Sequence, residues 1–86
     1  MRFQGAVIKE QGLTFAVVIV KKRVLDSHAE RDRIALAFQP TFPGLPVVLM
    51  AQDTRGVPTY FGRRDIARFM ANVPISAVPW HWYAVN

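Results

Sequence analysis

Apolar residues follow two different rhythms along this chain. Residues 3–9 and 13–25 are rich in Val, Ile, Phe and Ala on either side of Gln11-Gly12, which predicts two strands joined by a reversal. The second of these runs is apolar on both alternating faces. It is therefore expected to be a central strand covered on both sides. Lys21, Lys22 and Arg23 end that burial, and on an extended chain they alternate between the two faces of the sheet.

The rhythm then becomes helical. Ser27 with Glu30 three residues later has the spacing of a capping box, which satisfies free N–H groups at a helix start. The helix is predicted to end near Phe38 or Gln39, ahead of Pro40, with its last turn from Ile34 to Phe38 driven into the core. TFPGLP reads as a loop and residues 46–53 as another buried strand. Asp53 and Gly56 stand first and fourth in a type I turn, and Pro58 confines the following strand to an edge or a bulge. Ile66, Phe69, Met70 and Val73 then make one apolar stripe, predicting a second helix over residues 63–73 that Pro74 ends. WHWYAVN reads as a last strand.

The order ββαββαβ indicates an α+β protein with a mixed or antiparallel sheet and two helices packed on it. No linker or low-complexity segment divides the 86 residues, so residues 1–86 are read as a single domain. From Phe15 to Val73 the succession of strand, helix, hairpin and helix, with a Pro before the third strand, is similar in outline to the C-terminal half of thioredoxin-like folds. The redox CxxC is missing and the first strands follow a different pattern, so no family is assigned.

Composition sharpens this picture. Hydrophobic residues make up 51% of the chain, enough for a packed core, and the absence of cysteine leaves that core without disulfides and the chain without thiolate chemistry. Lys9 and Glu10 interrupt the first apolar run too early for a signal peptide, and the longest run is shorter than a membrane span, so a cytoplasmic location is expected. The net charge is +5. Its excess is centred where Arg55, Arg63, Arg64 and Arg68 face only Asp65, a bias that favours encounters with anionic partners.

Three groups of residues are candidates for function. On a helix over 63–73, Arg64 and Arg68 project together opposite the apolar stripe while Arg63 flanks the helix mouth, where free N–H groups could help clamp a phosphate or carboxylate. The same pattern also describes an ordinary solvated face whose arginines are neutralised by Asp65 or Asp53. Lys21, Lys22 and Arg23 could extend a basic surface or keep a sheet edge soluble. Trp80 and Trp82 share one face of the last strand, His81 and Tyr83 the other. Such aromatics either complete a core or anchor a partner.

Catalytic signals are weak. His28 and His81 are far apart and lack metal-ligand spacing, and Ser27 is explained by capping. Ser76 has no evident base, and no glycine-rich nucleotide loop occurs. No catalytic residue, metal or cofactor is assigned. The reading is a non-catalytic binding or adaptor module acting by protein–protein association, homodimerisation included, through a sheet edge or the aromatic last strand. The alternative is RNA or DNA binding by Arg63, Arg64 and Arg68 with Lys21, Lys22 and Arg23, aided by Tyr60 or Trp82. A small enzyme using either histidine would require one of them to meet a carboxylate in the fold.

Overall fold

A computed structural model describes residues 1–10 and 12–85. Five strands form one mixed sheet: β1 (Arg2–Glu10), β2 (Leu13–Ile19), β3 (Val47–Gln52), β4 (Pro58–Phe61) and β5 (His81–Ala84), in the spatial order β4-β3-β2-β1-β5. Strands β2 and β3 run parallel, whereas β1 with β2, β1 with β5 and β3 with β4 pair antiparallel. A parallel pair needs a crossover, which α1 (Lys22–Asp26) and α2 (His28–Phe38) provide. A third helix, α3 (Arg64–Met70), lies on the connection from β4 at one edge of the sheet to β5 at the other.

The α+β class agrees with the expectation, the element order does so except that two helices, α1 and α2, stand where one was expected, and the sheet is mixed. Helices cover both of its faces. On one face Leu25 of α1 and Phe38 of α2 pack with Phe3, Ala16, Val18, Leu49 and Ala51, and Tyr83 stacks on Phe3 with ring centroids 5.1 Å apart. On the other, Ile66 and Met70 of α3 meet Ala6, Phe15, Val17, Val48 and Met50. β2, in the middle of the sheet, contributes alternate residues to both cores, as its doubly apolar sequence requires.

Several boundaries differ from the sequence reading. The strand expected over residues 13–25 stops at Ile19, and residues 22–26 form α1 instead. An extended chain would send Val24 and Leu25 to opposite faces, whereas one helical turn brings both onto the same core. Lys22 Nζ and Asp26 Oδ1, 2.6 Å apart, close that turn. Lys21, Lys22 and Arg23 therefore do not alternate on a strand. The end of α2 is only partly inserted: Phe38 is buried, but Leu36 is 73% exposed because it points away from the sheet. The second helix begins at Arg64 rather than Arg63 and ends at Met70 rather than Val73. Trp80 precedes the last strand, and the expected end of that strand at Asn86, like Gln11 of the first reversal, lies outside the described residues.

Local chemistry explains the parts that match. Ser27 Oγ accepts the Glu30 N–H at 3.2 Å and so caps α2. In the turn after β3, Asp53 Oδ1 accepts from the N–H groups of Arg55 and Val57, and Gly56 sits at φ 82°, where a side chain would be strained. Pro58 opens edge strand β4, where a missing donor does least harm. Before α3 the chain needs a glycine for another reason. A Cβ on Gly62 would come within 2.8 Å of Val48 Cγ2, so the backbone can hug the sheet there only without a side chain.

Candidate functional site

The apolar stripe of α3 is buried as predicted. Ile66 and Met70 are in the core, and Phe69 and Val73 pack against it. That orientation leaves Arg64 and Arg68 exposed on the opposite side, neither in an ion pair among the described residues. Arg63 behaves differently. It donates to Asp65 twice, Nε to Oδ1 at 3.1 Å and Nη2 to Oδ2 at 2.6 Å, while the Ile66 N–H also donates to Asp65 Oδ1. Hydrogen bonding from Arg63 holds the Asp65 carboxyl below its ordinary range, and the same contact raises the guanidinium pKa. The first turn of this seven-residue helix thus carries its own carboxylate beside Arg63. Asp53 is engaged in its turn and does not neutralise the arginines.

The tryptophans take opposite environments. Trp80 packs against the α3-side core and donates its Nε1–H to Ile75 O at 3.1 Å. Trp82, two residues on, is 60% exposed. Ile66, Phe69 and Met70 of α3 pack on the same core as Trp80, whereas Trp82 is not part of that core. Tyr60 is half-buried against the same core, and its hydroxyl makes no hydrogen bond among the described residues; burial pushes its pKa up.

At the uncovered end of that face lies a groove of about 300 Å³, lined by Arg2, Phe3, Gln4, Ile19, Val20, Lys21 and Trp82. Gln4 is the Cα partner of Trp82, and the Arg2 guanidinium lies 4.7 Å from the Trp82 ring centroid, a cation–π distance. Of the candidate binding residues, Lys21 and Trp82 share this groove. Lys22 is tied to Asp26, Arg23 is exposed on α1, and Trp80 and Tyr60 belong to the core margin. Arg2 and Gln4 are not among the sequence candidates. The signal for them is an alternation in β1, where Arg2 and Gln4 stand on the face that Ala6 and Ile8 continue as apolar.

Strand β5 is also an open edge. Met1 and Val85 exchange both backbone hydrogen bonds, at 3.0 and 2.8 Å. With the two-residue antiparallel alternation, Tyr83 and His81 direct their backbone groups toward β1, and Trp82 and Ala84 direct theirs outward.

A second cavity, about 360 Å³, lies between the β1–β2 reversal and α3 and includes Glu10, Phe15, Arg63 and Asp65. Neither histidine is near it. His28 Nδ1 meets Arg31 Nη2 at 3.1 Å, and His81 is exposed on β5. Among the described residues no histidine hydrogen-bonds a carboxylate, no metal-binding group of His, Cys, Asp and Glu is gathered, and no helix is long and apolar enough to cross a membrane. Compared with known proteins, the chain matches no protein family, no curated protein and no solved structure.

Proposed function

We propose that this chain is a non-catalytic binding module that associates with a protein strand, a second copy of itself included, along the open edge of β5. The observation that supports the reading is the pairing of an exposed Trp82 with an unpaired strand edge on which Trp82 and Ala84 offer N–H and C=O groups. Backbone bonds supply affinity in strand addition, and the side chains on either face supply specificity. β5 carries neither the lysine nor the proline with which exposed edges are commonly blunted.

Ala84→Pro tests the proposal at its most selective point. The Ala84 N–H points away from β1, so proline removes an outward donor while sparing the β1–β5 ladder. In sedimentation over a concentration series, the unaltered chain is expected to approach twice its monomer mass and the variant to stay monomeric. A chain that remains monomeric at millimolar concentration, or a variant that associates as well as the parent, refutes self-association through this edge.

The second reading, nucleic-acid binding by the outer side of α3, is favoured by Arg64 and Arg68 being exposed and free of ion pairs among the described residues. It predicts that Arg64→Ala with Arg68→Ala weakens binding of an oligonucleotide and flattens its salt dependence.

A further inference from the structure

The groove at the uncovered end of the sheet carries two cations, Arg2 and Lys21, that edge pairing does not use. We infer that it is a binding site for single-stranded nucleic acid, with a base stacked on Trp82 and the sugar-phosphate chain running past Arg2 toward Lys21.

Charge complementarity is the first support. Among the described residues, Arg2 and Lys21 line the groove and no carboxylate does. Neither cation takes part in an ion pair among them, so neither must leave a carboxylate to meet a phosphate. The second support is the aromatic surface. Trp82 is 60% exposed although it stands on a strand, and the Arg2 guanidinium at 4.7 Å restrains the indole. A restrained ring loses less freedom when a base stacks on it. Every base has a π-face, so this kind of contact tolerates sequence variation, and it needs a base that is not already stacked in a helix. Gln4, beside Trp82 on the neighbouring strand, brings both a donor and an acceptor to the edge of such a base.

Dimensions select the strandedness. Trp82 on β5 and Lys21 just beyond β2 are separated by two strand spacings, ~10 Å, a reach suited to a short stretch of one strand. A groove of about 300 Å³ has room for a single splayed base. The site lies on the face of the sheet and the association proposed above uses its edge; Trp82 is common to both, so Ala84→Pro, which alters only the edge, tests the two apart.

The decisive measurement is fluorescence anisotropy of labelled oligo(U) and oligo(dT) dodecamers, with a hairpin duplex and polyglutamate as competitors. The unaltered chain is expected to bind the single strands with log K falling linearly in log salt. Arg2→Ala and Lys21→Ala should each make that slope shallower by about 0.7 for every phosphate that is no longer neutralised. Trp82→Ala should weaken binding about tenfold or more, with Trp82→Phe recovering part of the loss. Ala84→Pro should bind normally even where it abolishes association. Circular dichroism and melting of each variant confirm that it is folded; these side chains are on the surface. Absence of binding at low salt overturns the inference. So do equal competition by the duplex or by polyglutamate, and a loss confined to Arg64→Ala with Arg68→Ala, which would place the contact on α3.

Discussion

Replacing each tryptophan in turn should produce sharply unequal effects, although the two residues differ by only two positions. Trp80 packs on the α3-side core and its indole N–H satisfies Ile75 O, so Trp80→Ala removes packing and leaves that carbonyl without its donor. Large aromatic deletions from cores cost about 3–5 kcal/mol, and because Trp80 is half-buried the expected loss is near the lower figure, about 3 kcal/mol. Trp82→Ala forfeits little burial and one exposed cation–π contact, worth about 0.5–1 kcal/mol. A domain of this size is stable by only ~5–10 kcal/mol, so the first change is severe and the second mild. Urea denaturation followed by circular dichroism measures both. The Trp→Phe variants add an optical check: with Trp82 alone, emission should be red-shifted and easily quenched by iodide; with Trp80 alone, it should be bluer and protected. Equal stability losses, or the reverse order of emission, would refute this placement of the two rings.

Removing the Tyr60 hydroxyl should help the protein. Tyr60→Phe deletes a buried group with no partner among the described residues and is expected to raise stability by about 1 kcal/mol in urea denaturation, whereas a clear loss would show that the hydroxyl is bonded. Asp65→Asn should lower the melting temperature in a pH-dependent way. The folded-state pKa of Asp65 lies below its ordinary 3.8, so its stabilising contact with Arg63 is present above that value and disappears as pH falls through the lower one. The difference in melting temperature between parent and variant should therefore be visible at pH 7 and close in strong acid; a gap that does not change with pH would assign the effect to something other than charge.

Much of the scaffold is legible because the relevant signals are local. Ser27 and Glu30 mark the start of α2, Asp53 and Gly56 the turn, and the spacing of Ile66, Phe69 and Met70 the buried side of α3. The early end of β2 is only partly legible: Lys21, Lys22 and Arg23 break the apolar run, but Val24 and Leu25 resume it and read as more strand. What turns them out of the strand is the need to leave the sheet for the crossover to β3, a tertiary requirement. The same limit applies to the surface. Arg63, Arg64 and Arg68 are conspicuous as a cluster, yet one of them is bound to Asp65. Arg2, Gln4, Lys21 and Trp82 are scattered along the chain and become neighbours only through the pairing of β1 with β5 and the central place of β2.

Arg2 is opposite Ala84 across the β1–β5 ladder, so nearly the whole chain must be looped back before that pairing can form. The β1–β2 hairpin needs only a short reversal and gains its bonds cheaply in entropy. β5 is then expected to dock late, and its detachment would carry Trp82 away from Arg2, which stays behind on β1. A newly made or partly opened chain would keep Arg2 and Gln4 on its hairpin but lack the ring that completes the groove, so engagement of a ligand there would report that the last strand has docked.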